Sequence, residues 1–412
     1  MKIDIFVRKL AGTSTAIAFS FGISSVAQAT QLVFLDFDSQ TEPEEYIYSA
    51  TERNIILDNI AADYSLFDFE FTLDQPHQGD FSTLFFNAGV GEGLAQQVDF
   101  RNLDKNDTAT ININPALGAP GVDLITLSSN IAAHELGHLV GLRHVDSFGP
   151  IGSGIFDPPA ASIICQGLPN SPSVDQLLEC YDPNYPGPAN ANETPYHLMA
   201  FPLEDAFLSE RSAVRLSFNE QGKVVSEESG NNSLATAQNL TLASLDVPNP
   251  LLFGENAGKK FLVDALAVTG SLSNEGETDF FSFEGSAGDL FYFEVNSQVL
   301  SRIPDQIDSQ LSIFDSSGNL VPYYNGVAFN DNEFESFDSS IVDLRLPKDD
   351  TYFIKVNASS SEDIGDYELY GYQFEAVGEV EPIPEPSMVV SFSAGALFLF
   401  ATSKFRRWRR SK

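Results

Sequence analysis

Basic residues are scarce in this sequence: 22 Lys and Arg stand against 58 Asp and Glu, a formal net charge of −36 over 412 residues. So acidic a surface repels phosphate backbones, which sets nucleic acid aside as a partner. Cysteine is scarcer still, with only Cys165 and Cys180, so one disulfide is the most the chain can close. Long apolar runs are missing too. The longest candidate near the C-terminus, residues 388–402, is shorter than the roughly 20 residues of a stable membrane span. No internal repeat is visible. Histidine and methionine number five and three, and that scarcity gives their positions weight. Four of the five histidines, His134, His138, His144 and His197, fall within one stretch of the chain.

The apolar residues Ile131, Ala132, Ala133, Leu136, Leu139 and Val140 predict a helix. On it His134 and His138 lie four residues apart on one face, so their ring nitrogens can meet on one metal ion. Glu135 stands beside them and suits a general base better than a ligand. Gly141 can enter the left-handed conformation that ends a helix, which lets the chain turn back and bring His144 to the metal as a third ligand.

The run His134-Glu135-Leu136-Gly137-His138-Leu139-Val140-Gly141-Leu142-Arg143-His144 resembles the signature of the metzincin zinc peptidases. Tyr196-His197-Leu198-Met199-Ala200 resembles the methionine turn that closes the metal site of that family from below. A core methionine filling a gap is the competing reading of Met199. Gly93-Leu94-Ala95 resembles the family's substrate-binding edge strand, and Thr108 to Asn114 alternates as the next strand would. Ser209 followed by Glu210 to Leu216 reads as the capped last helix. The resemblance implies an α+β domain over residues 30–225, a mixed sheet with an active-site helix. It also implies one catalytic Zn2+ held by His134, His138 and His144, with water in the fourth position. Glu135 would take that water's proton as a peptide bond is hydrolysed, Met199 would shape the floor, and the substrate would be a protein or peptide. The chain departs from the family's better-known branches in two ways. The 54 residues between His144 and Met199 exceed the compact matrixin pattern, and Phe201 stands where some branches place a tyrosine. Arg143, Tyr196 and His197 are candidate substitutes for that tyrosine, and the subfamily stays open.

Both ends carry addresses. Lys2, Arg8 and Lys9, then the apolar Ala11 to Val26, then Ala27-Gln28-Ala29, read residues 1–29 as a secretory signal peptide. In an exported, extracellular or surface-held chain, Cys165 and Cys180 most simply pair, and closing a loop of about 15 residues is worth ~3 kcal/mol in the chain-entropy picture. A cysteine switch ahead of the catalytic domain is not expected. Leu32 to Phe37 reads as a first strand, and Glu44 to Ala62 as a helix with Ile47, Ile55, Ile56 and Ile60 on its apolar side. At the other end, residues 377–386 form a linker. Pro384-Glu385-Pro386, the apolar run and a cluster from Lys404 to Arg410 resemble the bacterial PEP-CTERM sorting signal, over residues 384–412. That resemblance implies transient membrane anchoring and an exosortase-type sorting enzyme as partner, with a permanent single-span anchor as the alternative. Residues 1–29 hold three basic residues and one acid, and 387–412 six basic and no acidic ones, so residues 30–386 carry a formal charge of −44. A well-hydrated exported surface is the simplest meaning of that charge.

The chain divides near residues 220–230. Ser226 to Asn232 is polar and reads as flexible, and beyond it short alternating strands dominate, clearest at 280–283, 290–295, 311–314 and 352–356. Roughly eight strands in about 150 residues suit an all-β sandwich, here residues 226–376. The segment resembles the bacterial pre-peptidase C-terminal domain at Asn231 to Gln238, Asp279-Phe280-Phe281, Asp315-Ser316-Ser317-Gly318 and Asp350 to Val356. It implies an accessory module of secreted peptidases, some of which bind Ca2+. Asp279, Asp305, Asp308, Asp331, Asn332 and Asp338 are the oxygen-rich candidates for such a hard cation, against solvated turn carboxylates. Ser229 stands where an acidic residue is usual. Two rival functions remain beside the peptidase: a non-catalytic surface-binding protein on the same scaffold, and a zinc hydrolase of a non-peptide amide. An intact Glu135 speaks against the first and the edge strand against the second.

Overall fold

The computed structural model describes residues 31–89, 91–147, 151, 197–200, 207–248, 260–323, 326–332 and 336–374. The signal peptide, the sorting tail, Tyr196, Phe201 and both cysteines lie outside them. Among the described residues no helix is long and apolar enough to cross a membrane.

The first half builds a five-stranded sheet in the order β2-β1-β3-β5-β4. Its strands are β1 (Gln31–Asp36), β2 (Phe69–Thr72), β3 (Ser82–Phe86), β4 (Gly93–Ala95) and β5 (Thr108–Ile111). Four run parallel, and β4 lies antiparallel on the edge, with Gly93 opposite Ile111 and Ala95 opposite Ala109. Helices α1 (Ala50–Asp63) and α2 (Leu124–Leu139) pack on each other and on this sheet. The α1 start differs from the expected Glu44 for a local reason. Ser49 accepts the Glu52 N–H while the Glu52 carboxylate accepts the Ser49 N–H, a capping box that fixes the N-terminus there. Ile56 and Ile60 are buried as expected, whereas Ile55 is 43% exposed on the outer side of the helix and Ile47, which precedes it, is 61% exposed.

Beyond α3 (Glu210–Gln221), a second five-stranded sheet and a six-stranded sheet form. One has the order β15-β12-β17-β10-β7, from β7 (Gln238–Asn239), β10 (Thr278–Gly285), β12 (Ser309–Phe314), β15 (Phe329–Asn330) and β17 (Asp350–Ala358). The other runs β16-β11-β18-β9-β6, from β6 (Val224–Ser226), β9 (Lys260–Leu272), β11 (Leu290–Asn296), β16 (Ser340–Arg345) and β18 (Gly365–Phe374), with β8 (Ala243–Pro248) also on β9. A short hairpin joins β13 (Pro322–Tyr323) to β14 (Gly326–Val327). Phe281, Phe283, Leu311, Ile313, Ile354 and Val356 from the first sheet share one buried core with Val268, Phe291, Phe293, Val295, Ile341 and Leu369 from the second. This follows from strict alternation: every second residue of β10, β12 and β17 faces the partner sheet.

The other face of the second sheet is equally dry. Ala265, Ala267, Tyr292, Val342, Tyr370 and Tyr372 belong to the same apolar cluster as α2, β1, β3 and β5 of the first half. The stretch expected to be a flexible divider is therefore tied down at its start: β6 pairs with β9, Glu227 N–H donates to the Thr269 carbonyl, and Asn231 is buried.

Candidate metal centre

Helix α2 begins at Asp123, whose carboxylate accepts the Ile125 and Thr126 amides. Its last turns are enclosed on nearly every side, with Ile131, Ala132, Ala133, Leu136 and Leu139 all buried. Tyr64 on the α1 side donates its hydroxyl to the Ala133 carbonyl at 2.8 Å, which fixes the helix against its neighbour. The helix stops at Gly141, in the left-handed region at φ +86°. Gly141 N–H returns to the His138 carbonyl and Leu142 N–H to that of Gly137. A Cβ on Gly141 would sit 2.7 Å from Phe100 Cα, so glycine is required for packing as well as for φ. The chain then forms a tight turn, His144–Ser147.

This path brings the three predicted imidazoles together. His134 Nε2 lies 3.1 Å from His144 Nε2, and His138 Nε2 lies 3.2 Å from it. Three ligands of a tetrahedral zinc ion at 2.0–2.1 Å are separated by about 3.3 Å, so the spacing fits the ion. The outer nitrogens confirm the fit. His134 Nδ1 donates to the Leu198 carbonyl at 2.8 Å and His138 Nδ1 to the Leu142 carbonyl at 2.9 Å, which leaves each Nε2 with a lone pair directed at the common point. Among the described residues, His134, His138 and His144 form the group of three metal-ligating side chains that converges, and the cluster is compatible with a zinc ion.

Glu135 is buried beside the imidazoles and points at the edge strand. Burial pushes its carboxyl up to about 7, opposed by the Ala95 backbone N–H and by His144. Gly93 on β4 is so close that a Cβ there would meet Glu135 Oε1 at 2.3 Å and Ile131 Cγ2 at 2.7 Å. Met199 is fully buried, and its sulfur lies against Gly137, where a Cβ would come within 2.5 Å of it. The methionine therefore underlies the helix between the two helical histidines, and its neighbour Leu198 supplies the carbonyl that holds His134.

Of the proposed stand-ins for a missing tyrosine, Tyr196 lies outside the described residues and the other two sit elsewhere. The Arg143 guanidinium turns into the C-terminal sheets, toward Asn296 and Ser336. His197 is buried with Nδ1 on the Ser147 carbonyl at 2.6 Å, and burial pulls its pKa down to about 4. Of the oxygen-rich candidates for calcium, Asp279 accepts the Tyr367 hydroxyl, and Asp338 accepts the backbone amides of Ser297, Gln298 and Val299. Sequence reasoning missed the Gly93 contact, the Ala95 N–H, and the two carbonyls that orient the histidines. The glycine in an otherwise strand-like stretch was the available signal for the first; backbone partners leave none.

No known family profile matches the chain. A probable subtilase-type serine protease of Deinococcus radiodurans is 34% identical over 82 residues, which is 20% of this chain and 10% of that protein. The chain thus spans about a tenth of that relative's length. Solved structures with partial likeness include the pre-peptidase C-terminal domain of a Bacillus anthracis collagenase, at 16% identity and TM-score 0.19, covering 26% of this chain and 86% of that one. A hatching enzyme zinc-protease of the medaka Oryzias latipes is 18% identical at TM-score 0.19, covering 33% and 63%. The periplasmic g-type lysozyme inhibitor of Aeromonas hydrophila is 12% identical at TM-score 0.21, covering 37% and 98%. Likenesses of this size do not fix a fold or an activity.

Proposed function

We propose that this chain is an exported zinc metalloendopeptidase of the metzincin kind, whose C-terminal pair of sheets is a β-sandwich module. The observation that carries the reading is the meeting of His134, His138 and His144 at zinc spacing, with Glu135 beside them against the edge strand. The three Nε2 atoms would hold the ion. Zinc bound there supplies Lewis acidity and brings the pKa of a water toward about 7. The remaining work falls to the protein's own groups. Glu135 accepts the proton of the attacking water and delivers it to the leaving amine. The Ala95 N–H holds that carboxylate at the edge strand, and burial keeps bulk water from competing. Among the described residues strand β4 is paired on one side only, by β5, so its other side would offer backbone groups to an extended peptide. The Met199 side chain supports the helix without reaching the reacting atoms. The signal at residues 1–29 and the sorting tail at 384–412 support export and surface routing through an exosortase-type enzyme.

The test compares the mature chain with Glu135→Gln for bound zinc and for cleavage of a mixed unfolded-protein substrate. Equal zinc with cleavage lost by ~10²–10⁴-fold in the variant supports the peptidase and its base. Stoichiometric zinc without cleavage by the parent moves the reading to a binding scaffold or a non-peptide amide hydrolase, and no zinc in either protein removes the site.

A further inference from the structure

The turn that presents His144 is anchored from the C-terminal half of the molecule. Asp146, two residues on, closes the turn by accepting the Arg143 N–H at 2.8 Å, and its backbone carbonyl accepts the hydroxyl of Ser209, the cap of α3. The Asp146 carboxylate also pairs with Arg215 Nε of α3 at 3.0 Å. Arg215 in turn forks onto Glu294 of β11, with two bonds of 2.8 Å, and lies between the rings of Phe100 and Tyr370. Glu294 accepts from the Tyr292 hydroxyl and from Asn296 Nδ2. On the other flank of His144, the Arg143 guanidinium donates to Asn296 Oδ1 at 3.3 Å and to Ser336 Oγ at 3.4 Å. All four charged groups are buried, Arg143, Asp146, Arg215 and Glu294. Asp338, also buried, lies close enough to Arg143 to feel its charge.

We propose, resting on the zinc reading above, that Glu294 and Asn296 of β11 are positioning residues for His144: through Arg215–Asp146 and Arg143 they hold both flanks of the ligand turn, making the C-terminal half part of the metal centre. A buried guanidinium shared between two carboxylates has a narrow set of allowed geometries, because each lost bond leaves a charge unpaired away from water. That rigidity passes along a three-residue path to the imidazole. Outer partners of this type commonly alter metal affinity by ~10–100-fold when removed. An accessory module linked only by a tether would have no such effect.

The experiment uses the full chain and the paired variant Arg215→Met with Glu294→Gln. The pair removes one cation and one anion together; the glutamine oxygen still accepts from Asn296, and its amide can donate to the Tyr292 hydroxyl. Two readouts are taken: amide hydrogen exchange over residues 142–147 in the metal-free protein, and cobalt(II) titration followed by its visible absorption. The expected result is a thermal midpoint close to the parent's, exchange over 142–147 faster by at least ~10-fold while β1 and β3 keep theirs, and cobalt affinity weaker by ~10–100-fold. Parental exchange over 142–147 with cobalt affinity within about twofold of the parent's overturns the positioning role. If the parent itself takes up no cobalt while the variant's turn loses protection, the zinc reading falls and the anchoring of the turn stands. Should the pair fail to fold, Asn296→Ala keeps both charges of the Arg215–Glu294 fork and removes the Asn296 bond to Arg143. Unchanged exchange in that protein counts against the proposal, and faster exchange supports it.

Discussion

Gly93→Ala asks whether the edge strand and Glu135 lie as close as the structure has them. An added Cβ would stand 2.3 Å from Glu135 Oε1, 2.8 Å from its Cδ and 2.7 Å from Ile131 Cγ2. Apolar contacts normally sit at about 3.5–4.0 Å, so roughly 1 Å must be recovered against Ile131 alone. Ile131 is buried within α2 and cannot retreat, whereas the carboxylate is the far end of a longer side chain and can. Overpacking of this kind costs about 1–3 kcal/mol, and alanine returns about 0.4–1 kcal/mol by restricting the unfolded chain. The net loss is then about 1–2 kcal/mol, a thermal midpoint lower by a few degrees. Activity should suffer more, because a base displaced by about 1 Å can cost ~100-fold in kcat/KM. The assay is peptide cleavage in parallel with a thermal melt and bound zinc, in both the parent and the Glu135→Gln background. Since the carboxylate is the route of the effect, Gly93→Ala should lower the melt in both backgrounds and lower cleavage only where Glu135 is present. Parental stability and parental cleavage in Gly93→Ala would refute the placement of Glu135 against β4.

Chelation of the metal should abolish cleavage and lower the melting midpoint, and restoring zinc at 1,000 times its Kd should return about 4 kcal/mol; a melt indifferent to chelator would contradict the three-histidine centre. His144→Ala should weaken cobalt binding far more than His197→Ala, since His197 holds the Ser147 carbonyl and not the shared point, and equal losses in the two would contradict that assignment. Met199→Ala should cost about 2–5 kcal/mol through the cavity left against Gly137, whereas Met199→Leu should cost under about 1.5 kcal/mol and retain zinc; urea melts with zinc analysis decide. Burial raises the Asp107 carboxyl from 3.8 to about 7, against a bond from Ser82. A folded pKa above the unfolded value means stability present at low pH and lost as pH rises through about 7, at ~1.4 kcal/mol per unit within the window. Asp107→Asn should flatten the fall in stability between pH 4 and 7, and an unchanged slope there would rule the group out as its source.

What the sequence made legible here is what local spacing can specify. His134, His138, Gly141 and His144 lie within eleven residues, so helix geometry plus one left-handed turn determine most of the centre, and Ser209 announces α3 by the same short-range logic. The α1 boundary failed because apolar periodicity extends through Ile47 while the capping box at Ser49 and Glu52 starts the helix later. The existence of α3 was legible, but its burial was not. Glu210, Arg211 and Arg215 look like a solvated face, yet the helix is buried nearly throughout, since Arg211 meets Asp343 and Arg215 meets Glu294 across more than 75 residues of chain. No pattern within α3 distinguishes an arginine paired in the dark from one in water; the partner's position decides, and that position depends on how β11 and β16 are stacked. The contacts that cross the divide at residues 220–230 are hidden from the sequence for the same reason. Polar composition marks a boundary when the flanking surfaces are wet. Here β6 enters the second sheet directly after α3, and Arg211 and Arg215 of that helix pair with Asp343 and Glu294 of the C-terminal sheets. Cutting the chain at that point would therefore strip Arg211 of Asp343 and leave Arg215 with Asp146 alone, so the first half expressed by itself should be unstable by more than its lost apolar contacts account for.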